Sequence, residues 1–599
     1  MRKTTLFNVN RLANVSRLAR LSALAVALSA VPALADDVVF KGVLLVSRDI
    51  TKPQVATKTA PAQAEKISSC LKSTTALPVV LPALADAAAV ARYREQLKAE
   101  GVVAVESSLL ALDRKAIASD VAPLLGQAID NARVDQLKAI VLSALNKEGA
   151  MLADIYLPPQ RSDDGYVVIV VSPAKVGKIV TNGQKYFDGQ QIACEIRTQP
   201  GSQVNLKQLT EDLVWLNRTP WRVTDVSYAP GENVGEADIT LTTTDRKPFR
   251  PYVSMDNTGT RLTGMGRYKV GVSWGNPFGL FDHRLDYSYT RSNVDGAVDI
   301  HALSYSMPVW DRTNLSFNFS RAEAKSQFNQ DFSAKGTNTY ASVGFNRVLP
   351  KMSVFPNLVH EGTLGFDYKH AETNLLFGQQ TLNDYSSSPE VMQFYADYSA
   401  GVSDNAKKVN SYTHLGISPG LGFGNNTDKE FSAMRAGSKN TYWYVKETLD
   451  GNIKLPKNWG LRGVANMQYT PDVLPYSERL VLTGVNAVRG YHEDTLYADS
   501  GLALNLELQA PNIDLKLAGK DAQLQFFAFK DWGKGYSKSV DLNSDLKSNS
   551  KENVVSSLGI GARFSLSPFV QFNSAIAWAD RENGRNEDYL AHLALVVGY

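Results

Sequence analysis

The stretch Gly501-Leu-Ala-Leu-Asn-Leu-Glu-Leu-Gln509 decides the fold of this chain. Every second residue from Leu502 to Leu508 is leucine, and the residues between them include Asn505 and Glu507. On an extended strand, alternate side chains point to opposite faces, so the leucines share one face and the polar residues share the other. The stretch is therefore predicted to be a β-strand with one apolar and one polar face.

The same alternation recurs between residues 247 and 599, in segments of about ten residues separated by Gly, Asn, Asp and Ser turns. Examples are Arg267–Trp274, Arg284–Tyr289, Asn314–Phe319 and Leu364–Lys369. The pattern is typical of a transmembrane barrel with lipid outside and water inside. A soluble β-sandwich also alternates, but three features favour the membrane version: a basic and apolar leader at residues 1–35, the many aromatic residues and the length of the chain. Counting the segments gives about sixteen antiparallel strands, an even number that closes a bacterial barrel.

The first 35 residues predict a signal peptide. They contain no acidic residue and five basic ones, Arg2, Lys3, Arg11, Arg17 and Arg20. An apolar run from Leu21 to Leu34 follows, and it ends in the small-residue site Ala33-Leu34-Ala35. The alternative is an N-terminal membrane anchor. Removing the five basic leader residues from 63 leaves 58 against 60 acidic residues, a balance that gives no indication of nucleic-acid binding.

Patterns that would indicate an enzyme or a metal site are scarce. No stretch after the leader holds ~18 consecutive apolar residues, which excludes a helical membrane protein. None of the seven histidines is spaced as a pair of zinc ligands, and Gly420-Leu-Gly-Phe-Gly424 is a weak match to a phosphate loop. We expect no enzymatic activity, no cofactor and no metal. The two cysteines, Cys70 and Cys194, could form a disulfide or remain unpaired.

Residues 36–100 form an N-terminal segment whose place in the fold the sequence leaves open. Phe40–Val46 is a possible strand, and Thr51–Lys66 is rich in Pro, Ala, Thr, Gln and Lys, as linkers are. Ala83–Ala99 is rich in alanine and is predicted to be helical.

Two small α+β domains are predicted between this segment and the barrel, at residues 101–175 and 176–246. The first has the order β-α-α-β-β, with elements at Gly101–Leu110, Asp113–Gln127, Val134–Lys147, Met151–Leu157 and Tyr166–Val171. The second repeats it in part, at Val176–Val180, Asn205–Leu216, Arg222–Tyr228 and Ala237–Thr242. Tandem units suit an array of small domains better than an enzyme with one deep cleft. The alternative is one irregular α+β domain.

Two short motifs lie in the barrel region. Gly484-x-x-x-Val488-Arg489-Gly490-Tyr491 follows the eleventh predicted strand, and Phe529-x-Asp531 lies on a later strand. The chain ends on a strand whose last residue is the aromatic Tyr599.

Together these features resemble the two-partner secretion translocators of Gram-negative outer membranes, which include the haemolysin secretion/activation proteins and the filamentous-haemagglutinin transporters. The resemblance covers about Gly101 to Tyr599. It implies a transmembrane β-barrel preceded by two polypeptide-transport-associated (POTRA) domains of β-α-α-β-β order. The run Leu157, Pro158, Pro159 and Gln160 is similar to the end of the family's first POTRA domain. In the family the first motif is the tip of the sixth extracellular loop, the second lies on strand thirteen, and the C-terminal aromatic is an insertion signal.

A physical argument links the two motifs. Phe529 and Asp531 share a face with glutamines of the same strand, and this face should line the lumen because a carboxylate in lipid is costly. An aspartate in a partly dry lumen requires a partner, and arginine offers two parallel hydrogen bonds. If the loop folds into the lumen, as the resemblance implies, Arg489 would pin it to Asp531. Gly490 would permit the turn and Tyr491 would pack on the wall.

The resemblance implies secretion of a dedicated partner polypeptide, such as a haemolysin or an adhesin, without ATP. The POTRA domains would receive the unfolded partner in the periplasm by strand addition, and the barrel would conduct it across the outer membrane. Further implied partners are outer-membrane lipid and the barrel-assembly machinery, and we expect a monomer. The resemblance also implies a plug helix in the pore, for which Ala83–Ala99 is the candidate. The alternatives are a barrel-assembly factor of the same superfamily and a passive porin or adhesive barrel.

Overall fold

The computed structural model divides the chain into two compact units, Met1–Arg246 and Lys247–Tyr599. It describes residues 42–47, 103–105, 114–127, 130–147, 153–156, 165–233, 235–327, 331–352, 354–355, 357–378, 380–382, 386–404, 406–493, 495–538, 552–567, 570–580 and 589–598. No helix within these residues has the length and the apolar character needed to cross a membrane.

The first sheet of the N-terminal unit has four strands in the order β2-β1-β4-β3. Its strands are β1 (Gly42–Ser47), β2 (Val103–Val105), β3 (Ala153–Tyr156) and β4 (Tyr166–Pro173), and its helices are α1 (Arg114–Val121), a 3-10 turn (Ala122–Leu124) and α2 (Asn131–Lys147). Both helices bury one apolar face on the sheet, with Leu137 and Val141 of α2 against Ile169 of β4. The predicted helix 113–127 ends early because Pro123 cannot continue an α-helix.

The second sheet has three strands in the order β5-β7-β6. Its strands are β5 (Lys175–Asn182), β6 (Arg222–Pro230) and β7 (Glu236–Asp245), and its helices are α3 (Gly189–Cys194) and α4 (Leu206–Leu216). Asn205 caps α4 by accepting a hydrogen bond from the Gln208 amide. The short helix α3 has no legible period in the sequence and was not predicted.

The two sheets differ in one respect. In the second, the first strand β5 pairs directly and in parallel with the last strand β7. In the first, β1 lies between β2 and β4 and runs parallel to both. The N-terminal segment thus contributes the strand that the sequence could not place.

A closed antiparallel barrel of sixteen strands forms the C-terminal unit, which confirms the predicted fold class. Its strands are β8 (Phe249–Asp256), β9 (Arg267–Gly275), β10 (Arg284–Ser292), β11 (Val298–Trp310), β12 (Thr313–Gln327), β13 (Phe332–Val348), β14 (Leu358–Phe377), β16 (Glu390–Ser403), β17 (Lys407–Pro419), β18 (Thr441–Lys454), β19 (Gly460–Tyr469), β22 (Ser500–Gln509), β24 (Lys520–Tyr536), β25 (Glu552–Leu566), β26 (Val570–Ala579) and β27 (Leu590–Gly598). Shorter elements between them are the strands β15 (Gln380–Thr381), β20 (Leu480–Val481), β21 (Tyr497–Ala498) and β23 (Ile513–Leu517), the helix α5 (Asp428–Met434) and 3-10 turns at Pro277–Gly279, Pro456–Asn458 and Tyr476–Glu478. The last strand, β27, closes the barrel on the first, β8, from Ala594 opposite Asp256 to Gly598 opposite Tyr252.

The register separates a lipid-facing and a lumen-facing side of the wall. Leu506 of β22, Leu558 of β25 and Trp578 of β26 lie on the outer side and are at least 43% exposed. Glu507 and Asp531 point the other way and are almost fully buried. Exposed apolar side chains on one face are stable only in contact with lipid.

Two expectations about the barrel are corrected. The strands were expected to hold about ten residues, but β11 to β14 hold 13 to 20. Their outer faces change from apolar to charged along their length, as at Phe319 and Arg321, since these ends extend beyond the apolar belt. The charged, turn-rich segment from Lys534 to Glu552 predicts a long surface loop, but β24 continues to Tyr536 and β25 begins at Glu552.

Several predicted features fall outside the described residues. They are the leader 1–35, the linker-like run Thr51–Lys66, the helix Ala83–Ala99, the run Leu157, Pro158, Pro159 and Gln160, and the terminal Tyr599. Cys194 is disulfide-bonded, and Cys70, the other cysteine of the sequence, lies outside the described residues.

Candidate functional site in the barrel lumen

The segment of residues 470–499, here called the lumen loop, connects β19 to β22, the eleventh and twelfth barrel strands. It contains the 3-10 turn Tyr476–Glu478 and the short pair β20 and β21. Its backbone folds on itself, with the Gly484 amide donating to the Val488 carbonyl at 3.0 Å. Its contacts with the wall are made to lumen-facing side chains, so the loop lies inside the barrel.

Arg489 at the tip of the loop binds Asp531 on the thirteenth strand, β24. Its Nε donates to Asp531 Oδ2 at 2.7 Å and its Nη2 donates to Asp531 Oδ1 at 2.8 Å. The Arg489 backbone amide donates to the same carboxylate at 3.1 Å. Asp531 is fully buried and Arg489 is 6% exposed. This is the two-point geometry in which an arginine binds a carboxylate most strongly.

Glu507 on β22 is a second acid at this site. Arg489 Nη1 donates to Glu507 Oε1 at 2.8 Å, and Arg563 Nη2 of β25 donates to Glu507 Oε2 at 2.7 Å. Two guanidinium groups and two carboxylates therefore form a neutral network in which all groups but the partly exposed Arg563 are buried, and this avoids the large cost of an unpaired buried charge. We call Arg489, Glu507, Asp531 and Arg563 the tip site.

Two phenylalanines of β24 form the floor of the tip site. The Arg489 guanidinium carbon lies 3.5 Å from the Phe529 ring centroid, and that of Arg563 lies 4.1 Å from the Phe527 ring centroid. Each ring covers a glycine of β25, because a Cβ on Gly559 would clash with Phe529 and a Cβ on Gly561 would clash with Phe527. The small residues let the rings lie flat on the wall, where their faces attract the cations.

The residues on either side of Arg489 fix the turn. Gly490 has a φ of 89°, a conformation that favours glycine. Its amide donates to His592 Nε2 of the last strand at 3.0 Å. The Tyr491 hydroxyl lies 3.2 Å from the backbone carbonyls of both Ser556 and Asp580, and its single proton is shared between these two acceptors.

Val488 packs beneath the tip in an apolar cluster formed mainly by the loop itself. The other buried members are Leu480, Leu482, Tyr491, Leu496, Ala498 and the wall residue Val555. Val488 is fully buried, and a Cβ on Gly533 of β24 would lie 3.0 Å from its Cγ2 atom. The motif therefore supplies four features in sequence order: an apolar contact, an ionic contact, a turn and an aromatic contact. They come from Val488, Arg489, Gly490 and Tyr491.

The part of the lumen loop that precedes the tip binds a different part of the wall through Glu478, which is fully buried. Lys369 Nζ of β14 donates to Glu478 Oε1 at 2.5 Å, and the Tyr444 hydroxyl of β18 donates to Oε2 at 2.6 Å. Gln393 Nε2 of β16 donates to the same oxygen at 3.3 Å.

The two sets of contacts place the loop across the lumen. Gln393 lies on the eighth strand of the barrel and His592 on the sixteenth, which are half a circumference apart in a closed ring of sixteen. Residues 478 and 490 of the loop reach these two strands. The loop therefore spans the bore and divides it.

Sequence reasoning identified Val488, Arg489, Gly490, Tyr491, Phe529 and Asp531, and the structure brings all six together. It missed Glu507, Arg563, His592 and Glu478. Glu507 could have been predicted from the sequence. It lies on the polar face of β22, the strand that immediately follows the loop, and a glutamate there is within reach of the loop's arginine. The other three are single polar residues on the lumen face and carry no local pattern.

Within the described part of the chain, no three His, Cys, Asp or Glu side chains are grouped so that they could hold a metal ion. The charged groups of the tip site neutralise one another instead. The site is thus equipped to hold the loop against the wall by ionic contacts.

Comparison with known proteins gives one family match. The profile of the family described as haemolysin secretion/activation protein ShlB/FhaC/HecB matches residues 235–564. The outer membrane transporter CdiB-2 of Burkholderia pseudomallei is 25% identical over 421 residues, covering 68% of this chain and 69% of the relative. The hemolysin transporter protein HpmB of Proteus mirabilis is 24% identical, covering 71% of this chain and 76% of the relative.

Similar solved structures include CdiB from Escherichia coli, with a TM-score of 0.68 and 16% sequence identity over 98% of this chain and 96% of that one. CdiB from Acinetobacter baumannii gives a TM-score of 0.62 with 16% identity over 98% and 97% of the two chains. At this level of identity the likeness shows the fold. Since the family profile covers more than half of the chain, the protein belongs to the haemolysin secretion/activation family of two-partner secretion translocators.

Proposed function

We propose that the protein secretes one dedicated partner polypeptide across the outer membrane. The observation that carries the proposal is a barrel lumen spanned by a loop that a buried arginine pins to the wall, in a chain of this family. Relatives named as transporters of a hemolysin and of heme/hemopexin support a secretory role. In this proposal the lumen is the route, and the loop is the obstacle that the partner must pass or displace.

The passage needs no nucleotide. The periplasm supplies no ATP, so direction comes from folding of the partner outside the cell. An unfolded chain suits the route because its backbone groups find hydrogen-bonding partners on a polar wall. Lumen-facing residues such as Ser304, Asn318 and Ser342, which already bond one another across strands, provide such a surface.

The N-terminal domains would receive the partner by strand addition at a sheet edge. The edges of the second sheet are β5 and β6. On β6, the Asn217 side chain already binds both the amide and the carbonyl of Thr224, at 2.7 and 2.8 Å. On β5, Val180 is a large apolar side chain that is 47% exposed. We therefore assign the docking edge to β5, around Val180.

Other parts of the proposal follow from the sequence. Residues 1–35 would direct export, Leu157 to Gln160 would close the first POTRA domain, and Tyr599 would be read by the barrel-assembly machinery. The protein would act as a monomer in contact with outer-membrane lipid, without a cofactor or a catalytic residue.

The direct test is deletion of the gene, followed by comparison of the culture medium and the outer membrane by quantitative mass spectrometry. Secretion of a dedicated partner predicts that one large protein disappears from the medium while outer-membrane barrels keep their abundance. A general loss of barrels would instead indicate an assembly factor and would contradict the proposal.

The docking edge is tested by Val180→Glu, with Ser227→Glu on the exposed face of β6 as the matched control. A charge at the docking edge should weaken strand addition, so Val180→Glu should lower secretion while Ser227→Glu leaves it at the wild-type level. If Ser227→Glu lowers secretion and Val180→Glu does not, the docking edge is β6 instead. If both variants secrete equally, strand addition at this sheet is excluded.

A further inference from the structure

The base of the lumen loop is held by a second ionic contact that is separate from the tip site. Arg435 and Asp499 are 3% and 0% exposed. Arg435 Nη1 donates to Asp499 Oδ1 at 2.6 Å and Nη2 donates to Oδ2 at 2.8 Å. The geometry is as complete as that between Arg489 and Asp531.

This pair connects three loops at the same end of the barrel. Arg435 follows α5 in the loop 420–440, and Asp499 is the last residue of the lumen loop. Arg435 Nη1 also donates to the Leu474 carbonyl at 2.6 Å, and the Leu474 amide donates to Asp499 Oδ1 at 3.0 Å. The Lys538 amide, in the loop after β24, donates to Asp499 Oδ2 at 2.7 Å.

An apolar cluster supports the pair. Phe431 of α5 is fully buried and packs with Leu474 of the lumen loop and with Val391, Tyr442 and Tyr444 of the wall. The helix α5 is thereby fixed to both the wall and the loop. Arg435, one residue beyond this helix, is held where it reaches Asp499.

We propose that Arg435 and Asp499 are positioning residues that join the loop 420–440, the lumen loop and the first residues after β24, Ser537 and Lys538, into one lid over this end of the barrel. The lid would hold the base of the lumen loop in place even when Arg489 has left Asp531. Release of the tip alone would then free part of the bore without opening the outer end to solutes. This inference rests on the proposed function only for the role of the lid in secretion, because closure of the pore is measurable without a partner.

The experiment is single-channel recording of the purified full-length protein in planar lipid bilayers. The variant Arg435→Met removes the pair, and we expect the open fraction to rise about tenfold, within the usual range for coupled sites. Arg435→Lys keeps the charge but loses the two-point fork, so an intermediate rise is expected. If Arg435→Met does not give the heat-resistant band of a folded barrel, Arg435→Lys becomes the deciding variant.

The matched control is Arg462→Met. Arg462 binds Asp450 in the same two-point manner, at 3.2 and 2.9 Å, but both residues lie on the wall strands β18 and β19 and join no loops. This variant should leave the open fraction at the wild-type value.

A double variant, Arg435→Met with Asp499→Leu, separates the lid from the simple cost of an unpaired buried charge. Replacing a buried ion pair by apolar residues often preserves stability, so the barrel should remain folded. If the pair positions the loops, the double variant should still show the raised open fraction. A return to the wild-type open fraction, or no change in Arg435→Met, would overturn the proposal. Failure of the proposed function would be visible separately, as unchanged culture medium after gene deletion.

Discussion

The tip and the base of the lumen loop are held by the same chemistry in two different settings. At the tip, Arg489 binds acids on two neighbouring wall strands, and the network closes with Arg563. At the base, Arg435 binds Asp499, and both residues belong to loops. The tip site therefore fastens the loop to the wall, whereas the base contact fastens loops to one another.

The difference teaches which contact is suited to open during transport. Releasing the tip leaves the wall intact, and only one loop segment has to move. Releasing the base would disturb three loops and the packing of Phe431 at once. We infer that the tip opens during passage of the partner and that the base stays closed.

The largest expected effect comes from Arg489→Ala. The change leaves Asp531 and Glu507 buried without their shared cation, which costs about 3–5 kcal/mol. We expect secretion to fall to near background while the barrel keeps its heat resistance on gels. Secretion is measured by immunoblot of the medium and normalised to the amount of barrel. Normal secretion by this variant would show that the contact at the tip is not required for transport, so that tip and base could no longer be assigned different roles.

Gly490→Val should have the next largest effect. A β-branched residue is strongly disfavoured at the φ of 89° found here, and a Cβ at this position would lie 3.1 Å from Ala577 Cβ. We expect a severe but incomplete loss of secretion, measured in the same way. The control is Gly451→Val, where a Cβ meets nothing within 4 Å, and a similar loss there would show that the turn has no special role.

Arg563→Met should give a moderate effect. Glu507 loses one of its two guanidinium partners but keeps Arg489, and the Arg563 side chain is 29% exposed, so water compensates in part. We expect a partial loss of secretion that high salt does not worsen. A loss as large as that of Arg489→Ala would mean that Arg563 itself holds the loop.

Tyr491→Phe should give the smallest effect. It removes the one hydroxyl proton, which is shared between two backbone carbonyls, and keeps the packing of the ring, at a cost of about 0.5–1.5 kcal/mol. Secretion should stay close to the wild-type level, while protease cleavage within the loop becomes faster. Unchanged cleavage would show that the ring alone caps the tip.

Most of the fold could be predicted from the sequence, and so could the contact at the tip of the loop, but not the contact at its base. Strict alternation revealed the barrel, because lipid on one side and water on the other impose it on every strand. The tip contact could be predicted because the motif around Arg489 is contiguous and Asp531 lies on a strand with clear alternation of polar and apolar residues. Arg435 and Asp499 were not legible, since a contact between two irregular loops leaves no period in either of them. The strand β1 was found as a strand, but its position between β2 and β4 depends on pairing that a local pattern does not encode.

The most direct test of the account is a cysteine cross-link between the loop tip and the wall. A sulfur in place of Val488 Cγ2 would lie about 3 Å from the Cβ of a residue at 533, so Val488→Cys with Gly533→Cys should form a disulfide in untreated membranes. Val488→Cys with Ser288→Cys, on the lumen face of the third strand, is the control and should not. The account predicts the first cross-link, and secretion that returns only on reduction. No cross-link between positions 488 and 533, or one as frequent between 488 and 288, would contradict a loop pinned in the lumen at Asp531.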